Sequence, residues 1–256
     1  MDLFWLKLIL SFIVGGAFIA FTIWVSEKYG SKLGGVIIGL PSTSLVGLLF
    51  IAWSQNNMAA VSAVPIMPAV AGINSIFVAL FVLLSSRGLK QALIIAFVFW
   101  FLSSLAVVLL PLDSLAISLG IAACLYAISA TFLSKFPHRK IAANKSTWKE
   151  FIFRSILAGT VVATAVLLAK NLGPLWGGVF SNFPAAFTST LILVTKKHGV
   201  EFTKSVARTM AFASIAAVSF SVAFYFLVPQ AGLGLGALLS VSISVAIGYF
   251  IYRFAL

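Results

Sequence analysis

Two copies of one motif carry most of the polar side chains that could bind a ligand within this very apolar sequence. The first copy reads GGVIIGLPSTS over residues 34–44, and the second reads GGVFSNFPAAF over residues 177–187. Proline cannot donate a backbone hydrogen bond but fits the first turn of a helix. Each copy therefore predicts a helix that is broken and begins again at its proline. The new N-terminus would present unpaired N–H groups and a partial positive charge, which together favour an anion.

The side chains around each proline supply hydroxyl and amide groups at similar depth. We expect Pro41 and Pro184 to start the half-helices. The paired glycines would allow close helix approach or bending, and they are Gly34, Gly35, Gly177 and Gly178. The predicted substrate-binding residues are Ser42, Thr43, Ser44, Asn74, Asn182 and Thr188. The alternative is ordinary packing, because prolines also kink spanning helices and small residues four apart are typical of close helix contacts.

Other reactive groups are scarce. All five acidic residues lie at the ends of predicted spans or in loops, whereas proton and cation carriers usually keep a carboxylate inside the membrane. Both histidines fall in loops, and the single cysteine, Cys124, lies in an apolar run. Neither a metal-ligand spacing nor a nucleophile beside a base is present. We therefore expect no metal, no cofactor and no enzyme activity.

The elements that must position these groups are transmembrane helices. The 256 residues are 62% hydrophobic and 9% charged, with a mean hydropathy of +1.15, which excludes soluble, disordered and fibrous proteins. A helix crosses a bilayer with about 20 apolar residues, and nine such segments joined mostly by short loops predict a single all-α transmembrane domain over 1–256. Segments 3 and 8 are long enough to tilt or break. Segments 1 to 9 are 4–26, 33–53, 59–84, 91–110, 114–134, 150–170, 175–195, 203–228 and 231–252.

Basic residues predict the orientation. The chain carries 17 Lys and Arg against 5 acidic residues, a net charge of +12. With the loop 135–149 in the cytoplasm, fifteen of the seventeen fall on that side, and only Lys7 and Lys170 lie opposite. We predict a multi-pass protein of the plasma (inner) membrane of a bacterium or archaeon, with its N-terminus outside and its C-terminus in the cytoplasm. The charge also predicts contact with anionic lipids at the cytoplasmic face, and not with nucleic acid, because no soluble surface could carry a basic groove.

A duplication relates the two halves of the chain. Residues 5–84 align without a gap on residues 148–227, an offset of 143, with about 16 identities over 80 positions. A shared tryptophan, four glycines and a proline in register exceed what apolar composition alone would produce. Segment 1 starts outside and segment 6 starts inside, so the two repeats are predicted to be inverted in the membrane. Repeat A covers 4–110 (segments 1–4), repeat B covers 150–252 (segments 6–9), and segment 5 with the loop 135–149 joins them.

This arrangement resembles inverted-repeat secondary transporters in which broken helices meet at the midplane, such as the sulfate/anion-exchanger class and the sodium/bile-acid symporter class. The resemblance is one of architecture, marked by the glycines and proline of the two motifs. This chain is shorter than those families usually are, and its repeat unit differs. It also looks like a small uncharacterised membrane protein family. The resemblance implies alternating access and carries over no substrate.

Together these patterns favour secondary transport of a small solute, with an anion preferred, around a site between segments 2 and 7. One alternative is a passive channel with the same pore. Another is a lipid-handling or scaffold protein that transports nothing and whose interior is packed. The sequence leaves open the substrate, the coupling ion, the direction of transport and whether the protein forms a homodimer.

Overall fold

The fold is built from helices that pack with little chain between them. A computed structural model describes residues 3–29, 41–110, 114–136 and 147–254, and these ranges contain no strand. The helices are α1 Leu3–Tyr29, α2 Ser42–Ser54, α3 Asn57–Ser62, α4 Met67–Leu84, α5 Leu89–Leu109, α6 Leu115–Leu133, α7 Trp148–Asn171, α8 Pro174–Ser181, α9 Ala185–Ala213 and α10 Ile215–Phe254.

Six stretches of the described chain are long and apolar enough to cross a membrane. The longest, Pro174–Ile251, has 78 residues and is divided by turns at Gly199 and Gly232. These glycines have φ angles of 78° and 76°, in the left-handed region that side chains with a Cβ rarely adopt. For the described residues, the prediction of an all-helical protein with several apolar helices able to span a membrane is confirmed. Gly34 and Gly35, with the rest of the first half of segment 2, lie outside the described residues.

The two longest predicted segments are broken. Segment 3 is divided at residues 63–66 into α3 and α4, and Pro65 and Pro68 each remove a backbone donor there. Segment 8 is interrupted at Ser214, between α9 and α10. The bounds of segments 1, 4, 5 and 6 differ from those of α1, α5, α6 and α7 by at most a few residues.

The first helices of the two repeats, α1 and α7, pack against each other in opposite directions. A Cβ added at Gly16 would stand 2.9 Å from the Ser155 carbonyl oxygen, and one added at Gly159 would collide with the Phe12 carbonyl. Residue numbers rise along α1 while those of their contacts fall along α7, so the helices are antiparallel. Gly16 and Gly159 are equivalent under the 143-residue offset, as are Phe12 and Ser155. Each helix therefore presents the same positions to the other, as two copies do at a two-fold interface.

The helices α2 and α8 also pack closely and in opposite directions. A Cβ at Gly47 of α2 would lie 2.5 Å from Ser181 Oγ of α8, and one at Gly177 of α8 would lie 2.8 Å from a methyl group of Ile51. Higher residues of α2 thus contact lower residues of α8, and these two helices are also antiparallel. Their small residues bring the two backbones close together, which is how helices associate without a hydrophobic driving force in lipid.

Charged side chains gather at the two ends of the bundle. At one end, Lys7 Nζ of α1 donates a hydrogen bond of 2.6 Å to the Trp53 carbonyl at the end of α2, and Lys170 lies over an aromatic ring of α1. At the other end, Glu150 of α7 pairs with Lys197 of α9 at 2.8 Å. We call this second end the basic end. Other described basic residues near its turns are Arg87, Lys90, Lys135, Lys149, Lys196, Lys204 and Arg208.

The contact between α1 and α7 gives a stability prediction. Gly159→Ala places a methyl group against the Phe12 carbonyl, so the helices must separate, and we expect a loss of about 1–3 kcal/mol in the free energy of unfolding. Gly120→Ala is the control, because nothing lies within 4 Å of a Cβ at that position of α6 and alanine favours helix by up to about 1 kcal/mol. Thermal unfolding in detergent measures both. Equal midpoints for the two variants would contradict the close packing.

Candidate functional site

The helix predicted as segment 7 is broken at the position that Pro184 indicates. α8 ends at Ser181, residues 182–184 are not helical, and α9 begins at Ala185 with Pro184 as its N-cap. The N-cap residue of this new helix makes no side-chain capping hydrogen bond. The backbone groups released at such a break need partners within the protein, because the interior of a bilayer supplies none.

The start of α2 has the same local geometry. Pro41 is the N-cap of α2, with φ −76° and ψ 56°, and Pro184 has φ −75° and ψ 43°. The first hydrogen bond of each helix is also alike: the Leu45 N–H donates 2.7 Å to the Pro41 carbonyl, and the Thr188 N–H donates 2.8 Å to the Pro184 carbonyl. Both motifs therefore start a helix at their proline. Whether a first half-helix precedes Pro41 stays a prediction.

Three of the predicted site residues meet in one hydrogen-bonded network that joins the two repeats. Ser44 Oγ of α2 lies 3.1 Å from the Ser181 carbonyl oxygen and 3.2 Å from Asn182 Oδ1. Asn74 Nδ2 of α4 donates 2.8 Å to the Asn182 carbonyl. All of these residues are buried. Side chains from repeat A thus satisfy carbonyl groups at the break in repeat B.

Trp100 of α5 is a fourth member of this network, and the sequence analysis did not find it. Its Nε1–H donates 2.7 Å to Asn74 Oδ1, and its indole is fully buried. The ring packs edge-on against Phe180 and Phe183, at centroid distances of 6.0 and 5.0 Å. Tryptophan usually favours the membrane interface, so its place near the middle of an apolar segment was the available signal. We call Ser44, Asn74, Trp100 and Asn182 the polar cluster.

The remaining predicted ligands lie around the polar cluster without joining it. Thr188 is 6% exposed, and its hydroxyl has no hydrogen-bond partner among the described residues. As the fourth residue of α9 it leans back toward the N-terminus of that helix. The hydroxyl of Ser181 is likewise buried without a partner in the described chain. Ser42 and Thr43 are half-buried at the start of α2.

The glycines of the second motif are packing residues. A Cβ at Gly177 would lie 2.6 Å from the Ala169 Cβ, and one at Gly178 would collide with the Ala63 carbonyl. The Gly178 carbonyl oxygen also accepts a hydrogen bond of 3.4 Å from Asn182 Nδ2. Of the two roles predicted for these glycines, close helix approach and bending, the contacts at Gly177 and Gly178 correspond to close helix approach.

A positive charge lies near the same half-helix. Arg154 Nη2 of α7 donates 2.8 Å to Thr190 Oγ1 of α9, and Arg154 is half-buried. Thr190 lies six residues after Pro184, which is about 9 Å along the helix. From the sequence alone, Arg154 is only one of the basic residues that predict the orientation of the chain. Among the described residues, no three His, Cys, Asp or Glu side chains are grouped so that they could hold a metal ion.

The polar cluster gives a prediction for a double-mutant cycle. Asn74→Leu leaves the Trp100 indole N–H and the Asn182 carbonyl unpaired, which costs about 1–3 kcal/mol. Of the hydrogen bonds in the polar cluster, Trp100→Phe breaks only the one from Trp100 to Asn74. Because both variants lose that bond, we expect the double variant to be less destabilised than the sum of the two, measured by thermal unfolding in detergent.

The control for this cycle is Ser189→Ala. The Ser189 hydroxyl bonds the Ala186 carbonyl of its own helix, so its removal leaves the polar cluster intact. We expect the loss in the free energy of unfolding caused by Ser189→Ala and the loss caused by Asn74→Leu to add in the double variant. Strict additivity of Asn74→Leu and Trp100→Phe would show that the two side chains do not interact.

One stretch of the chain is similar to a known family. Residues 8–111 match the family described as "Protein of unknown function (DUF3147)", which is less than half of the chain and nearly coextensive with repeat A. No curated protein matches the chain. No solved structure matches it either.

Proposed function

We propose that this protein is a secondary transporter of a small solute, with an anion favoured, which works by alternating access around the break in segment 7. The observation that carries the proposal is the position of that break. The non-helical residues 182–184 lie against the start of α2, and buried polar side chains from both repeats converge there. A broken helix at the contact between two repeats is typical of secondary transporters.

The proposed architecture is nine transmembrane helices in two inverted four-helix repeats, joined by α6. Three findings support it. α1 and α7 are antiparallel and use equivalent residues against each other, and α2 and α8 are antiparallel as well. Pro41 and Pro184 have similar backbone angles at the starts of equivalent helices. The family match covers residues 8–111, close to the bounds proposed for one repeat.

The preference for an anion rests on local electrostatics. The N-terminus of α9 carries a partial positive charge, and Arg154 adds a full charge where it contacts Thr190 on that helix. The Thr188 hydroxyl is buried near the same N-terminus without a partner in the described chain, so it is available to donate to a ligand. A carboxylate of a zwitterionic solute would satisfy the same groups. The proposal involves no enzyme activity, cofactor, metal or nucleic acid.

In this conformation the polar cluster is closed. Ser44 and Asn74 both bond to the break, so the two repeats are joined where the solute would bind. Alternating access then requires the Ser44 and Asn74 bonds to Asn182 to exchange for bonds to the solute. This mutual pairing also favours the second candidate function, a lipid-handling or scaffold protein that transports nothing, in which the polar cluster only holds the repeats together.

Ligand-dependent stability separates these two functions. We expect one chemical class, among anions, amino acids and neutral metabolites, to raise the unfolding midpoint of the detergent-purified protein, because a ligand of the folded state stabilises it by about 2.7 kcal/mol at 100 times its dissociation constant. We expect Pro184→Ala and Pro41→Ala to abolish this rise and to abolish uptake into proteoliposomes, because each removes the start of a half-helix.

Pro174→Ala is the matched control, since Pro174 starts α8 at the far end of that helix from the break. This variant should keep both the ligand response and uptake. If no class of solute shifts the midpoint and proteoliposomes take up none of them, transport is excluded for that panel and the scaffold function stands. Normal uptake by both the Pro41 and Pro184 variants would refute the broken-helix site.

We further propose a multi-pass protein of the plasma membrane, with the basic end in the cytoplasm facing anionic lipid. The concentration of basic residues at that end supports this orientation. In a Cys124→Ser background, single cysteines at Asn57 and Ser86 test it. A membrane-impermeant maleimide should label Asn57→Cys in intact cells and Ser86→Cys only after permeabilisation. The reverse pattern would overturn the orientation.

A further inference from the structure

We propose that a groove between α6 and α9 binds one phospholipid with an anionic headgroup. The cavity has a volume of about 210 Å³ and an almost wholly apolar wall. This inference does not depend on transport and holds equally for a scaffold protein. The residues of this groove, called the lateral groove, are Tyr126, Ala127, Ser129 and Ala130 of α6, Ala211 and Phe212 of α9, and Ile215 of α10.

Two side-chain contacts between the helices fix the direction of the lateral groove. Arg208 Nη1 donates 2.9 Å to the Phe136 carbonyl, just after the end of α6. Deeper in the bundle, the Tyr126 hydroxyl lies 2.7 Å from Ser214 Oγ, at the interruption between α9 and α10. Higher residues of α6 contact lower residues of α9, so the helices are antiparallel. The lateral groove therefore lies between the basic end and the contact of Tyr126 with Ser214.

One face of α9 leads from positive charge into the lateral groove. Lys204, Arg208 and Ala211 are spaced four and three residues apart, which places them on the same side of the helix. Lys204 Nζ lies 5.8 Å from the centre of the Phe136 ring, beside the carbonyl that Arg208 contacts. A headgroup at these two cations would thus be continuous with an acyl chain lying against Ala211.

Arg208 needs a further acceptor. Its Nε–H is buried and has no partner among the described residues. A guanidinium offers five donors, and phosphate oxygens accept from it strongly. In the described part of the chain, the ion pair of Lys204 is with Glu201, whose side chain is 84% exposed, and such surface pairs contribute little. A phosphodiester would therefore meet an unpaired donor and a second cation at the same place.

The apolar wall decides between a lipid and a free anion. Ordered water or a small ion in a cavity needs several polar partners, whereas Ala127, Ala130 and Ile215 present only carbon to the lateral groove. The site thus combines an anion-binding mouth at the level of a bilayer surface with an apolar channel that runs into the hydrocarbon. Basic pockets between transmembrane helices are known to bind anionic lipid headgroups in this way.

The test compares two lipids that differ only in the headgroup. We expect phosphatidylglycerol to raise the unfolding midpoint of the detergent-purified full-length protein more than phosphatidylcholine with the same acyl chains. Arg208→Gln should remove this difference between the lipids. Lys90→Gln, which changes an exposed lysine at the basic end on α5, should keep it.

A second pair of variants tests the acyl-chain site without touching charge. Ala127→Trp fills the lateral groove and should reduce the number of phosphatidylglycerol molecules retained in native mass spectra by one. Ala116→Trp is the control, because Ala116 is also an exposed alanine of α6 but lies 11 residues away, about 16 Å along the helix. It should retain the wild-type number of lipids.

Three results would overturn the proposal. The first is equal stabilisation by the two lipids in the wild-type protein. The second is an undiminished preference for phosphatidylglycerol in Arg208→Gln together with unchanged lipid retention in Ala127→Trp. The third is stabilisation by glycerol phosphate alone to the same extent as by phosphatidylglycerol, which would identify a site for a free phosphate.

Discussion

The need to satisfy backbone groups at breaks in membrane helices governs how this protein is assembled. Inside a bilayer, a free carbonyl or N–H has only protein for a partner. The carbonyl of Asn182 accepts from Asn74, and the carbonyl of Ser181 accepts from Ser44. At the start of α4, the Ala69 N–H donates 2.9 Å to the Ser118 hydroxyl of α6. Each of these breaks therefore depends on a side chain from another helix, and the breaks hold the helices in register.

Close packing of small residues makes those bonds reachable. Gly16 and Gly159 bring α1 and α7 together, and Gly47 and Gly177 bring α2 and α8 together. Only with backbones this close can the short side chain of Ser44 reach the carbonyl of the opposing helix. The helices α1 and α7 thus meet much as two copies of one protein would, and the polar cluster joins the two predicted repeats. Any movement of one repeat against the other must disturb the polar cluster.

Charge is kept away from this contact, apart from Arg154. Lys7 and Lys170 lie at one end, where they contact a helix C-terminus and aromatic rings, and Glu150 pairs with Lys197 at the other end. Among the described residues, the middle of the bundle otherwise holds neutral amides, hydroxyls and helix termini, whose N–H and O–H groups are those assigned to the proposed anion. The proposed lipid site uses different residues, on α6 and the second part of α9, so the proposed transport and the proposed lipid binding are separable.

The sequence by itself determined most of the described helices, many of their ends and the break at Pro184, because apolar length and the missing donor of proline act locally. It also aligned the two halves of the chain, since the offset of 143 matched Gly16 to Gly159 and Pro41 to Pro184. Ser44, Asn74 and Asn182 were predicted as site residues from their depth and chemistry, but their partners were not.

Only the tertiary structure decided which helix faces meet. It joined Trp100 to Asn74, aimed Arg154 at Thr190, and opened the lateral groove beside Ser214. The physical reason is that membrane helices are apolar on all sides. They lack the contrast between an apolar and a polar face that identifies the buried side of a helix in a soluble protein. Their orientation is set by small residues and by the few polar side chains that must find partners, and those partners lie up to 138 residues apart in the chain.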